Sequence, residues 1–388
     1  PVYRDEEQKI LRHAGLDNHG MGTIFEELIR KFNEENNEEA GEHWTPRDVV
    51  ELMADLIFCP IAERIKDATY SCYDGACGTG GMLTVAQDRL LALAAEHGRK
   101  VSIHLFGQEV NPETYAIAKA DMLLKGDGAQ AEHVAFGSTL SADRHPARQF
   151  DFMLSNPPYG KSWVTDASHM GGKKEILDAR FHAHLASGEN LAMLPRTSDG
   201  QLLFLLNNVA RMKKKTPLGS RIAEVHNGSS IFTGDAGSGE SNARRYLIEN
   251  DLVEAIIAVP ENMFYNTGIG TFIWILSNRK DERRKGKIQL IDATAMKSPL
   301  RRNMGKKNCA FTPEIRQEIL RLFLEMEESD ISRIFPNEEF GYWSITVERP
   351  LRLRVHPARE IPANLFRREE ERTAILERCP ASRATETI

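Results

Sequence analysis

No apolar run in the chain approaches the roughly 20 residues that a membrane-spanning helix requires, and its first residues lack the pattern of a secretory signal. Cysteine is scarce. Its five residues, Cys59, Cys72, Cys77, Cys309 and Cys379, have neither metal-ligand spacing nor a disulfide framework, which suits a reducing cytoplasm. An excess of positive charge is missing too: 50 Lys and Arg stand against 56 Asp and Glu, for a formal net charge of -6. That argues against nucleic acid as a partner of the whole surface. A local basic face, or a separate subunit carrying such contacts, stays open. The 12 histidines offer no paired ligand spacing; His182 and His184, two apart on a predicted loop, are read as structural, and no metal is expected. Repeats and low-complexity tracts are lacking. So is an initiator Met, and the chain is read as a piece of a longer protein.

What is present is a chain of 388 residues, 41% hydrophobic and 27% charged, the balance of a globular protein long enough to bury a full core. Ile24, Phe25, Leu28, Ile29 and Phe32 have helical spacing, ahead of an acidic run from Glu34 to Glu39. Thr45-Pro46 reads as a helix start, a capping hydroxyl followed by Pro in the first turn. Beyond it, strands are predicted at Ala68 to Tyr73, Ile103 to Gln108, Phe150 to Leu154, Arg221 to His226, Leu252 to Val259 and Thr271 to Ser277. Helices are predicted at Met82 to Glu96 and Pro112 to Lys125. Such alternation implies an α/β chain with a largely parallel sheet and helices on both faces. The stretches Arg279 to Lys287 and Lys297 to Lys307 are basic and poor in periodicity. An amphipathic helix is predicted from Thr312 to Glu327, and a charged helix or frayed end from Arg367.

Two turns carry chemistry. Asp74-Gly75-Ala76-Cys77-Gly78-Thr79-Gly80-Gly81 follows the first strong strand and precedes a helix. Glycines let backbone approach a ligand, and the helix N-terminus offers free N–H groups. Asp74 can meet the ligand directly or through water. Glu109, at the end of the next strand, can accept both hydroxyls of a ribose. Taken singly, the turn is equally a device for packing strand on helix, and Glu109 a solvated carboxylate; in this order they favour a nucleoside cofactor.

Asn156-Pro157-Pro158-Tyr159 follows the buried strand that ends near Leu154. Two prolines stiffen the turn and remove backbone donors. The Asn156 side-chain oxygen and a proline carbonyl can therefore accept both hydrogens of one exocyclic amine. An amine such as adenine N6 is weakly nucleophilic because its lone pair is conjugated into the ring. Rigid acceptors favour the charge that grows on it during methylation. Tyr159 would stack on the base, which must leave a duplex to be reached. By itself the string is also an ordinary turn.

Together, Thr45-Pro46, Asp74 to Gly81, Glu109 and Asn156 to Tyr159 resemble the amino-methyltransferases whose cofactor half precedes the catalytic half. The blocks Gly41 to Arg47 and Asn227 to Asn278 are similar to the modification subunit of type I restriction–modification systems. The resemblance implies an S-adenosyl-L-methionine-dependent, Rossmann-like fold with a mostly parallel seven-stranded sheet, acting on adenine N6 in DNA. It implies domains at 1–40 (the end of a helical N-terminal domain), 41–310 (catalytic) and 311–388 (a helical extension). Carried over by position, Trp44, Thr45, Pro46 and Arg47 would line the methionine end of the cofactor. Gly78, Thr79 and Gly80, beside Asp74 and Gly75, would cradle it, with Glu109 on the ribose. Many relatives place an acidic or amide residue after the third strand, against the cofactor's adenine; here Ser138 stands in that run. The family's partners are DNA, a specificity subunit, a second modification subunit and a restriction subunit, in the cytoplasm. Rival readings are methylation of protein glutamine or cytosine N4, or a non-catalytic assembly subunit that keeps the fold.

Three further features are weighed. Phe264, in Phe264 to Gly268, could add a second aromatic face for the base or simply pack a loop. The loop Gly234 to Gly239 with Arg244-Arg245 is a DNA or subunit contact or a mobile surface loop. The basic runs near residues 280 and 300 neutralise phosphates or are solvated faces.

Overall fold

Nine segments have the mixture of β-branched, aromatic and aliphatic residues that suits a buried pleated strand. They are β1 (Ala68–Asp74), β2 (Val101–Glu109), β3 (Val134–Phe136), β4 (Phe152–Ser155), β5 (Arg221–Asn227), β6 (Val253–Val259), β7 (Thr271–Ser277), β8 (Lys287–Asp292) and β9 (Ser332–Pro336). In this computed structural model they form one sheet in the order β9-β8-β6-β7-β5-β4-β1-β2-β3. β7 lies antiparallel between β5 and β6, β9 is antiparallel to β8, and every other pairing is parallel. All six predicted strands form, within two residues of their expected limits.

The structure describes residues 3–4, 10–11, 45–124, 128–185, 188–265 and 267–341. The helical pattern at 18–37, Trp44 and the tail from Arg367 lie outside the described residues.

Among the described residues the sheet has nine strands, which corrects the expected seven. β6 buries Val253, Ala255, Ile257 and Val259, and as an outer strand it would offer an apolar edge to other chains. β8 covers that edge with Ile288 and Ile291. β9 then closes the sheet with Arg333 and Pro336, residues suited to an edge because proline has no ladder donor. β8 starts inside the basic run read as aperiodic, which hid it. The sheet therefore continues beyond residue 310, where a helical extension was expected to begin.

Successive strand side chains point to opposite faces, and two apolar layers result. On one, Cys72, Phe152, Leu154, Ala223, Val225, Ile273 and Ile275 meet α1 (Arg47–Phe58), α2 (Gly81–Glu96), α3 (Pro112–Leu124) and, at the β8 end, a C-terminal helix at Pro313–Glu325. On the other, Tyr73, Met153, Ile222, Trp274 and Leu276 meet α4 (Val164–His169), α5 (Gln201–Ala210) and α6 (Gly239–Glu249). The helix at Pro313–Glu325, α7, is capped by Thr312, whose hydroxyl accepts from the Ile315 amide. In α1, Leu52, Met53, Leu56 and Ile57 recur at three- and four-residue steps and are fully buried, each contributing roughly 1.5–3 kcal/mol. Among the described residues no helix is long and apolar enough to cross a membrane.

Candidate active site

The chain runs from β1 outward through β2 to β3, then returns to lay β4 on the other side of β1. At such a reversal the loops leaving neighbouring strands diverge and a crevice opens at their C-terminal ends. Both predicted turns leave this edge, the glycine turn from β1 and the Asn-Pro-Pro-Tyr turn from β4.

Gly78 and Gly80 have φ of 52° and 84°, a left-handed conformation that costs other residues roughly 1–2 kcal/mol. The chain can thereby reverse into α2. Glu109 holds the turn: one carboxylate oxygen accepts from the Gly78 amide at 2.8 Å, the other from the Asn111 amide at 2.7 Å. Asp74 is buried, and its Oδ1 accepts from the Ala76 amide at 2.9 Å and the Ser155 hydroxyl at 2.6 Å. Burial pushes the Asp74 carboxyl up to about 7, against the pull of those two hydrogen bonds and with a smaller upward push from Glu109 and Glu224.

A cleft of about 360 Å³ joins the two turns. Thr45, Arg47, Asp74, Gly75, Gly78, Thr79, Glu109 and Asn156 to Tyr159 line it. Two expected residues stand back from it. Pro46 is buried at the head of α1, and Gly80 serves the turn's backbone, facing Ala118 and Met122. Phe264 is corrected: it is 1% exposed inside the apolar layer and presents no face to a base. The loop that carries it is pinned where Lys307 donates to the Met263 carbonyl.

Thr45 does not cap α1; Pro46 occupies that position without a side-chain cap. The Thr45 hydroxyl instead accepts from Asn156 Nδ2 at 2.9 Å. Asn156 Oδ1 is buried and accepts no hydrogen bond. A buried oxygen without a donor is costly, by about 1–3 kcal/mol, unless a ligand supplies one. Tyr159 beside it is partly buried, and burial raises its phenol to about 12, so the ring is uncharged.

Residues that the sequence did not single out complete the site. Asp199 accepts from the Gly160 amide at 3.2 Å and from Gln201 Nε2 at 2.7 Å, and also from the Ser229 hydroxyl. Asn227 accepts from Gln201 and the Ser229 amide in turn. The block from Asn227 thus braces the Asn-Pro-Pro-Tyr turn from behind. Asp166, from α4, enters the cleft beside Ser138, and the hydroxyls of Ser138 and Ser141 donate to its Oδ1 at 2.5 and 2.6 Å. The carboxylate absent after β3 thus arrives on another element, with no spacing signal to announce it.

The basic runs are in part structural. Lys280 and Lys307 are buried and paired with Asp251 and Asp48, and Arg284 lies buried over the Phe323 ring. Arg301, Arg302 and Lys306 are exposed. Beside the Gly234–Gly239 loop, Arg244 of α6 donates to the Ser230, Thr233 and Gly234 carbonyls. Gly239 lies against the Leu194 backbone, where a Cβ has no room. His182 and His184 lie on a short strand rather than a loop.

Sheet order, glycine turn and flanking helices together are those of the S-adenosylmethionine-dependent methyltransferase fold. Residues 16–348 match the N-6 DNA methylase family model, and the chain belongs to that family. It is 26% identical over 315 residues to the type I restriction enzyme MjaIX methylase subunit of Methanocaldococcus jannaschii, covering 80% of this chain and 50% of that one. It is 28% identical over 318 residues to the MpnII methylase subunit of Mycoplasma pneumoniae, covering 79% and 52%. The type I restriction-modification methyltransferase subunit from Streptococcus thermophilus superposes with a TM-score of 0.64 at 26% identity, over 85% of this chain and 62% of that one. The chain spans about half the length of the curated relatives it matches.

Proposed function

We propose that this chain is the catalytic part of a type I modification subunit, methylating N6 of an adenine flipped out of DNA. The observation that carries this reading is Asn156 Oδ1, a buried acceptor without a donor at the edge of a cleft. The cleft suits S-adenosyl-L-methionine, which when bound supplies a methyl group on a sulfonium. A left-handed glycine turn keeps side chains away from it, and carboxylates stand at Glu109 and Asp166. Glu109 accepts from the ribose hydroxyls, and Asp166 with Ser138 takes the place of the acid expected beside the cofactor's adenine. Arg47, in the same cleft, borders the methionine end.

On the substrate side, Asn156 Oδ1 and a carbonyl of the proline pair accept the two hydrogens of the target amine, and Tyr159 stacks on its base. Holding the amine fixed toward the cofactor is worth a large part of the barrier. DNA is reached through a specificity subunit, in company with a second modification subunit and, for restriction, a restriction subunit.

The test combines titration calorimetry with S-adenosylmethionine and transfer of labelled methyl to DNA in the presence of the specificity subunit. Asn156→Ala should leave cofactor affinity nearly intact and lower turnover by about 10²–10³-fold or more. Collapsed affinity with persistent turnover would contradict the assignment.

A further inference from the structure

Thr45 stands on a rigid mount. Pro46 fixes the backbone after it at φ -57°, and α1 behind it has eight buried side chains packed on the sheet. Its hydroxyl is spent on neither the helix terminus nor a neighbour in sequence. It reaches 111 residues along the chain to the Asn156 amide.

The amide needs such a partner. An Asn side chain turns about its last two bonds unless a hydrogen bond anchors one end of the amide. Pro157 and Pro158 lack N–H groups that could engage Oδ1. Among the described residues, the Asn156 side chain makes one hydrogen bond, donated by Nδ2 to Thr45 Oγ1. With the nitrogen engaged, Oδ1 is left as the free acceptor.

We propose that Thr45 is a positioning residue for methyl transfer: its hydroxyl, engaged with Nδ2, anchors the Asn156 side chain at the edge of the cleft, where Oδ1 meets the target amine. The inference rests on the function proposed above. It also separates Thr45 from its expected place among the cofactor contacts, because a residue that serves the amine should govern turnover rather than cofactor affinity.

The experiment uses the full chain assembled with its specificity subunit, as wild type, Thr45→Val and Thr45→Ser. Cofactor dissociation constants come from calorimetry, and kcat and KM for DNA from labelled-methyl transfer. Thr45→Val keeps the shape without the hydroxyl. Its kcat should fall about ten- to a hundredfold, the cost of a misaligned reacting group, with the cofactor dissociation constant unchanged. Thr45→Ser, which keeps the hydroxyl, should restore most of the loss. Unchanged kcat in Thr45→Val, a loss that follows weakened cofactor binding, or no rescue by serine would each overturn the inference. If wild type itself transfers no methyl, the proposed function fails first, an outcome distinct from these. An unchanged cofactor dissociation constant also shows that the variants are folded.

Discussion

Replacing Asp74 by Asn should stabilise the protein in alkaline solution and leave it unchanged in acid. The carboxyl is 1% exposed, and burial is the largest influence on it, raising it from 3.8 to about 7. The folded chain therefore keeps a proton that the unfolded chain has already lost between those two pH values. Wild-type stability contributed by this group is complete below pH 4 and is lost as pH rises through 7. About three pH units of separation correspond to about 4 kcal/mol. Asn has no charge to desolvate, and its side-chain oxygen can still accept from Ala76 and Ser155. Urea denaturation of wild type and variant across pH 4 to 9 reads the difference directly. The gap should open between pH 4 and 7 in favour of Asn and stay level above, approaching the 4 kcal/mol bound. An equal gap at every pH, or a variant less stable at pH 8, would refute the assignment of Asp74 as a desolvated acid.

Other expectations follow from single contacts. Gly80→Ala meets a φ of 84° but stands back from the cleft, so it should cost roughly 1–2 kcal/mol in denaturation while folded molecules keep their cofactor affinity. Asp166→Ala should weaken S-adenosylmethionine in calorimetry by about tenfold or more, the worth of one charge-assisted hydrogen bond. Ser138→Ala, which leaves Ser141 on the same oxygen, should weaken it less.

The central strands were legible because parallel strands buried on both faces read as apolar runs. Periodicity also announced α2, α3 and α7. β8 was not legible, since its six residues begin within a basic run and gain their burial from β6, far away in the chain. The site divides in the same way. The two turns declare themselves by glycine and proline, whose backbone constraints are local. Asp166, Asp199 and Gln201 act through contacts across 25 to 39 residues or through loops without pattern, and no local rule points to them. Thr45 shows the limit most clearly. Its place before Pro46 suggested a helix cap, yet the hydroxyl is committed to Asn156. For Phe264 the sequence left a face for the base and the packing of a loop both open, and its burial in the apolar layer favours the packing.

The most direct measurement is mass spectrometry of nucleosides from duplex DNA incubated with the chain, its specificity subunit and methyl-labelled S-adenosylmethionine. The account expects label in N6-methyladenine with wild type and its loss with Asn156→Ala. Label in N4-methylcytosine, or none in DNA from a complex that binds cofactor and DNA, would contradict it.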